Sequence, residues 1–188
     1  MKIDPKELNI VAIIPARGGS KGIPGKNIIE LCGHPLLTWT ISQASKSNYV
    51  SSVWVSSDNK EILNVASQYG ANLIERPKEL SLDSSSSESA WIHAIDYLSS
   101  QNIDIDLVVG LQATSPIRGN NDIDDAISKY LKNNYDSLLS VSELEDYFVW
   151  EYNSNSDFVP INYDPSFRKP SQKIKKSYLE NGSLYIFK

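Results

Sequence analysis

The run Ile10-Val11-Ala12-Ile13-Ile14 carries no polar side chain, and it stops abruptly in a loop, residues 16–27, that holds four glycines and three cations. An apolar run of this kind reads as a buried strand, Asn9–Ile14. A second run, Leu107-Val108-Val109-Gly110-Leu111, is also wholly apolar and suits the centre of a parallel sheet. Parallel strands need crossover connections, usually helices, so the intervening sequence must supply them.

It does so in order. Pro35–Lys46 reads as a helix with apolar residues at 36, 37, 41 and 44. Ser52–Ser56 reads as a strand. Lys60–Tyr69 reads as a helix capped by Asp58 or Asn59 and ended by Gly70. Asn72–Ile74 reads as a short strand. Ser85 with Glu88 forms a capping box, and the helix it opens places Trp91, Ala94, Ile95 and Leu98 on one face. Asp122–Leu131 reads as an amphipathic helix and Ser137–Val141 as a strand. Strands and helices in alternation predict a three-layer α/β fold with a mostly parallel sheet. The pattern then changes. Tyr147–Tyr152 and Phe158–Ile161, joined through an Asn/Ser/Asp cluster, read as a β-hairpin. Asp164–Lys176 is polar and basic, and Ser183–Lys188 closes as a strand. At 188 residues the chain reads as one domain, 1–188, with a hairpin and loop extension over 143–177.

The glycine-rich loop is the chemical centre of this arrangement. Glycine lets backbone amides approach a phosphate chain closely, and Arg17, Lys21 and Lys26 supply countercharge. Two common phosphate loops are excluded. The P-loop needs a glycine five before Gly25 and Ser or Thr after Lys26, but Ser20 and Asn27 stand there. The dinucleotide fingerprint needs glycines at i, i+2 and i+5, which 18, 19, 22 and 25 do not meet. A formal net charge of −5 argues against a nucleic-acid surface and makes the local cations more meaningful. The lone Cys32 excludes an intrachain disulfide and fits a reducing compartment. The polar N-terminus lacks the apolar region of a secretory signal, and no run is long enough for a bilayer. The expectation is a cytoplasmic protein without a membrane partner.

Ligands of open α/β sheets bind at the carboxyl ends of the strands. Four polar clusters fall there: 16–27, Ser56-Ser57-Asp58, Arg76-Pro77 with Asp83–Ser87, and Gln112-Ala113-Thr114-Ser115-Pro116-Ile117-Arg118. The first of these, written Ile-Ile-Pro-Ala-Arg-Gly-Gly-Ser-Lys-Gly-Ile-Pro-Gly-Lys-Asn over 13–27, resembles the nucleotide loop of acylneuraminate cytidylyltransferases, the CMP–sialic acid synthetases. Val55-Ser56-Ser57-Asp58, the 111–118 segment and Tyr178-Leu179-Glu180-Asn181-Gly182-Ser183-Leu184-Tyr185 agree in order and spacing, so the resemblance runs from Asn9 to Lys188.

The resemblance implies a Rossmann-like nucleotidyltransferase in which the hairpin is a dimerisation extension. It implies transfer of CMP from CTP to a sialic-acid-like nonulosonic acid, with Mg²⁺ and release of pyrophosphate, in a homodimer. Arg17 and Lys26 match triphosphate positions, with Lys26 nearest the α-phosphate. Gly18, Ser20 and Lys21 are further nucleotide contacts. Asn27 and Ser87 match positions at the nucleotide's sugar and base, and Arg76 a triphosphate or base-loop contact. Gln112 matches the acyl-sugar contact with Thr114 and Ser115 beside it. Tyr185, after an Asn181-Gly182 turn, matches a pocket aromatic. Legionaminic, pseudaminic or another 2-keto sugar acid is an alternative acceptor, and a catalytically weakened nucleotide-binding homologue an alternative class.

The sequence also departs from the family. Relatives carry an Asp-x-Asp pair that helps hold the metal in a later segment, and nothing equivalent follows Lys188, so the metal ligands stay unassigned. Ala113 replaces a familiar proline, and Ser171 stands near an arginine of some relatives. Plainer readings compete at several positions. Arg76 can cap a helix carboxyl end, Ser84–Ser87 can be capping alone, and Asp58 reads best as a helix cap. His34 and His93 read as structural, and Trp150, Tyr152 and Phe158 as hairpin or dimer packing.

Overall fold

The computed structural model describes residues 4–144, 149–154, 157–167, 170 and 176–188. In chain order its elements are β1 (Ile10–Pro15), β2 (Glu30–Leu31), β3 (His34–Pro35), α1 (Leu36–Ser45), β4 (Ser52–Ser57), α2 (Lys60–Gln68), β5 (Asn72–Glu75), α3 (Ser87–Ser100), β6 (Leu107–Leu111), α4 (Asp122–Asn133), β7 (Ser137–Leu144), β8 (Trp150–Tyr152), β9 (Phe158–Pro160) and β10 (Ser177–Phe187). Two compact units result: residues 1–140 with 182–188, and residues 141–181.

The first unit is built on a sheet of order β5-β4-β1-β6-β10-β7. β5, β4, β1 and β6 run parallel, while β10 is antiparallel to β6 with Leu184 opposite Leu111. Alternation along β1 divides its side chains between two layers. Ile10, Ala12 and Ile14 meet α1, α2 and α4 through Leu37, Ile41, Ile62, Ile123 and Ile127. Val11 and Ile13 meet α3 through Trp91, Ala94 and Leu98. Side chains such as Ile10, Ile13 and Leu107 are fully removed from water, each contributing about 1.5–3 kcal/mol of burial free energy. Gly110 is what lets α3 approach: a Cβ there would stand 2.7 Å from the Trp91 indole. The three-layer α/β expectation, with its mostly parallel sheet, holds.

Local chemistry moves some boundaries. Asn59, not Asp58, caps α2; its Oδ1 accepts from Glu61 N at 2.8 Å and Ile62 N at 3.2 Å. Ser86, not Ser85, caps α3 by accepting from Ser89 N at 3.2 Å, so the Ser85/Glu88 capping box does not form. The Ser85 hydroxyl instead donates to the Glu79 carbonyl. The final strand begins at Ser177 rather than Ser183, and Asn181-Gly182 lies within β10 rather than in a turn. Asp106 accepts from Asn9 N at 2.7 Å, tying the entries of β1 and β6 together. His34 Nδ1 lies 3.2 Å from the Tyr69 hydroxyl and its ring meets Trp39 edge-on.

In the second unit, β8 and β9 pair antiparallel with Tyr152 opposite Phe158, whose rings touch at a centroid distance of 5.0 Å. Trp150 packs edge-on to Tyr163. Lys176 Nζ is 2.7 Å from Glu143 Oε1. Arg168, Lys169, Lys173 and Lys175 of the basic segment, and Tyr147 of the expected hairpin, lie outside the described residues. Among the described residues no helix is long and apolar enough to cross a membrane.

Candidate functional site

The parallel strands β1, β5 and β6 end on one edge of the sheet, and the loops that leave them enclose a cavity of about 320 Å³. That volume is ordinary for a small-molecule site. From the loop after β1 come Arg17, Ser20, Lys26 and Asn27; from the segment after β5 come Arg76, Leu80, Leu82, Asp83 and Ser85–Ser87; from the end of β6 come Gln112, Ala113 and Thr114. Eight of the residues singled out in the sequence therefore share one wall: Arg17, Ser20, Lys26, Asn27, Arg76, Ser87, Gln112 and Thr114. Gly18, Lys21, Ser115 and Tyr185 do not line it.

The first loop is held from inside. Asn27 is 6% exposed, and its Nδ2 donates to the Arg17 carbonyl at 2.8 Å. Gly18 N donates to Asp58 Oδ1 at 3.0 Å, so this amide is committed to the protein. A Cβ on Gly18 would stand 2.8 Å from the Asn59 side chain, which is why only glycine fits where the loop crosses the start of α2. Asp58 is thus a loop anchor rather than a helix cap.

The cations differ in environment. Arg17 Nη1 is 3.1 Å from Asp83 Oδ1 and donates to the Leu82 carbonyl at 2.8 Å. Lys21 Nζ is 2.5 Å from Asp83 Oδ2, with its side chain 86% exposed. The Asp83 carboxyl is held below its ordinary pKa, chiefly by the hydrogen bond from Lys21, with the charges of Lys21 and Arg17 adding and desolvation opposing. Lys26 makes no ion pair among the described residues. Arg76 is 5% exposed and donates through Nε to Ser81 Oγ at 3.0 Å. It follows β5, and this bond goes to a hydroxyl rather than to a helix-end carbonyl. Burial lowers its pKa, Asp58 opposes that shift, and the nearby Arg17 charge adds to it. A desolvated guanidinium facing a cavity gains most from an arriving anion.

Two residues that the sequence reading placed in its polar clusters without a role shape this site. Asp83 joins two cations of a loop some sixty residues earlier, and no spacing rule connects them. Arg118 bonds the Gln112 carbonyl from behind. Tyr185 belongs to the α3 side of the sheet, with its ring centroid 5.0 Å from Trp91. A second hollow, about 780 Å³, lies over α1 and the 116–120 segment between Trp39, Ile117 and Ile123. Its Arg118 is bonded to Gln43, and Lys46 is its other lining cation, against the three that line the first.

Among the described residues no three His, Cys, Asp or Glu side chains gather as a metal cage. Asp83, the carboxylate of the cavity wall, is taken by Arg17 and Lys21. These residues do not fit a metal held by protein side chains.

A sequence profile of a family described as Cytidylyltransferase matches residues 11–180. N-acylneuraminate cytidylyltransferase A of Danio rerio is 40% identical over 97% of this chain, which spans 42% of that protein's length. Pseudaminic acid cytidylyltransferase of Campylobacter jejuni subsp. jejuni serotype O:23/36 (strain 81-176) is 37% identical over 94% of this chain and 77% of its own. The solved structure of CMP:2-keto-3-deoxy-manno-octonic acid synthetase complexed with CTP superposes with a TM-score of 0.71 at 19% identity, covering 95% of this chain and 73% of that one. That last likeness concerns the fold.

Proposed function

The chain belongs to the cytidylyltransferase family, and from that premise we propose that it transfers CMP from CTP to the anomeric hydroxyl of a sialic-acid-like nonulosonic acid. The observation that carries this reading is the meeting of Arg17, Lys26 and Arg76 with Gln112 in one cavity. Three cations facing a half-enclosed space suit a triphosphate, and the amide beyond them suits a polyhydroxy acid.

The acceptor hydroxyl attacks the α-phosphorus, the bond to the β-phosphate oxygen breaks, pyrophosphate leaves, and the hydroxyl proton passes to solvent. Such a reaction asks the protein for positioning and charge neutralisation. Arg76 and Arg17 hold the β- and γ-phosphates, and Lys26, without an internal partner among the described residues, stands at the α-phosphate. Ser20 and Lys21 add outer contacts. Phosphate oxygens replace Asp83 at Arg17 and Lys21. Ser87 and the amino end of α3 face the nucleotide's base, where the helix dipole favours acceptor oxygens. Asn27 keeps the loop in shape at the ribose. Gln112, with Thr114 and Ser115 near it, receives the acceptor. Tyr185 supports that pocket from the α3 side. Mg²⁺, which the family resemblance implies, would supply charge neutralisation as the triphosphate's counter-ion rather than as an ion held by these side chains.

The acceptor is a sialic acid on the Danio relative and pseudaminic acid on the Campylobacter one, of which this chain covers the larger share. Exposed Tyr152 and Phe158 on the β8–β9 hairpin support a homodimer through the second unit, and the substrates support a cytoplasmic location. A pyrophosphate-release assay with CTP, Mg²⁺ and a panel of nonulosonic acids tests the reading. Acceptor-dependent release identifies the sugar. Nucleotide protection against unfolding without release from any acceptor would replace the enzyme with a nucleotide-binding homologue.

A further inference from the structure

Gln112 follows the last residue of β6, and its carbonyl is bonded by three donors. Arg118 Nη2 donates to it at 3.1 Å, Ser115 N at 3.2 Å and the Thr40 hydroxyl at 3.4 Å. The same Nη2 donates to the Ser183 carbonyl at 2.7 Å. Nη1 donates to Thr40 Oγ1 at 3.1 Å and to Gln43 Oε1 at 2.9 Å. One planar guanidinium thus ties the end of β6 to β10 and to α1. A lysine has a single nitrogen and no fork, so it cannot make this set of bonds at once.

The side chain of Gln112 is placed by a different device. Gly182 has φ +68°, and a Cβ on it would stand 3.0 Å from Gln112 Oε1 and 3.4 Å from Nε2. The amide therefore occupies the space that any other residue at 182 would fill. The positive φ favours glycine as well, so two independent constraints fall on one position. Neither Arg118 nor Gly182 lines the cavity, whereas Gln112 does.

We infer that Arg118 and Gly182 are positioning residues for Gln112: Arg118 fixes its main chain, Gly182 leaves room for its amide, and together they aim that amide at the acceptor acid. The acceptor part of this inference rests on the proposed function; the placement of the amide does not. The amide carries both a donor and an acceptor, which suits adjacent hydroxyl and carboxylate groups of a sugar acid.

The test uses Gly182→Ala and Arg118→Lys in steady-state kinetics with CTP and the acceptor found in the pyrophosphate assay. Each variant is expected to raise the acceptor KM about tenfold, the scale of one misplaced hydrogen bond, and to leave the CTP KM within about twofold. In a Gln112→Ala background each is expected to add less than about twofold, because the effect passes through Gln112. Effects that multiply undiminished in that background, or an equal rise in the CTP KM, would overturn the inference. Gly182→Ala carries the test if Arg118→Lys does not fold. A second readout needs no catalysis: the Gln112 side-chain amide NMR signals, identified by their loss in Gln112→Ala, are expected to shift in both variants without ligand. Shifted signals in a protein with no acceptor-dependent activity would remove the proposed function and keep the positioning. Unmoved signals in an active enzyme would do the reverse.

Discussion

Arg17 and Arg118 stand in loops that leave adjacent parallel strands, yet they are held in opposite ways. Arg17 is partly exposed and faces a carboxylate, Asp83, which also takes Lys21. Arg118 is largely buried and donates to four neutral oxygens, with burial lowering its pKa to about 10 and Asp122 opposing the shift. Even so it stays charged at neutral pH. An exposed ion pair contributes little to stability, so a ligand anion can displace its acid at small cost. A buried cation bonded to main-chain carbonyls cannot leave without stranding them. The first arrangement is suited to binding and release, and the second to holding a frame.

The largest effect expected from this contrast falls on the exchangeable side. Lys26→Ala is expected to lower turnover about 100–1,000-fold, as loss of one transition-state charge partner does. Stability, followed by urea unfolding, should change by less than about 0.5 kcal/mol. Normal turnover in that variant would take Lys26 out of the reaction. Next comes the frame. Arg118→Ala is expected to cost about 2–4 kcal/mol in the same unfolding measurement, against less than about 1 kcal/mol for Arg17→Ala. Equal costs would erase the distinction between the two arginines.

A smaller effect separates the two substrates. Gln112→Ala is expected to raise the acceptor KM about tenfold with the CTP KM within about twofold, since one neutral hydrogen-bonding group is lost. Smaller again is the effect of releasing the loop cations. Asp83→Asn is expected to tighten pyrophosphate binding about threefold in calorimetry, because the competing carboxylate is gone. Weaker binding would show that Asp83 organises the loop rather than competing for it. The slightest effect is in acid. The folded Asp83 pKa lies below the ordinary value of 3.8, so its contribution is fully present above that value and is lost as pH falls through the folded one. Wild-type stability should therefore fall more steeply than that of Asp83→Asn below about pH 4.

The layers of the fold were legible because periodicity reports burial directly. The apolar runs at 10–14 and 107–111 became β1 and β6, and the i, i+3, i+7 face of α3 meets the sheet through Trp91, Ala94 and Leu98. Loop residues were legible where several types converged, as at 17–27 and 112–114. Choices between neighbours were not. Asn59 against Asp58, and Ser86 against Ser85, depend on one residue of backbone register, and both candidates can cap in principle. Asp83 and Arg118 were placed in polar clusters, but their roles escaped because Arg17, Lys21 and Ser183 are distant in sequence, and no local pattern encodes which strand ends will meet. Gly182 looked like a turn glycine since φ > 0 is the common reason for one; here it lies inside β10 with Gln112 packed over it.

The central claim is that the loop after β1, with Arg76, grips a triphosphate through exchangeable cations. Titration calorimetry of folded protein with magnesium-loaded CTP tests it most directly. Saturable binding is expected, weakened about tenfold by Arg17→Ala and left unchanged by Lys129→Ala on the outer face of α4. Absence of binding to the wild type, or binding indifferent to Arg17→Ala, would contradict the account.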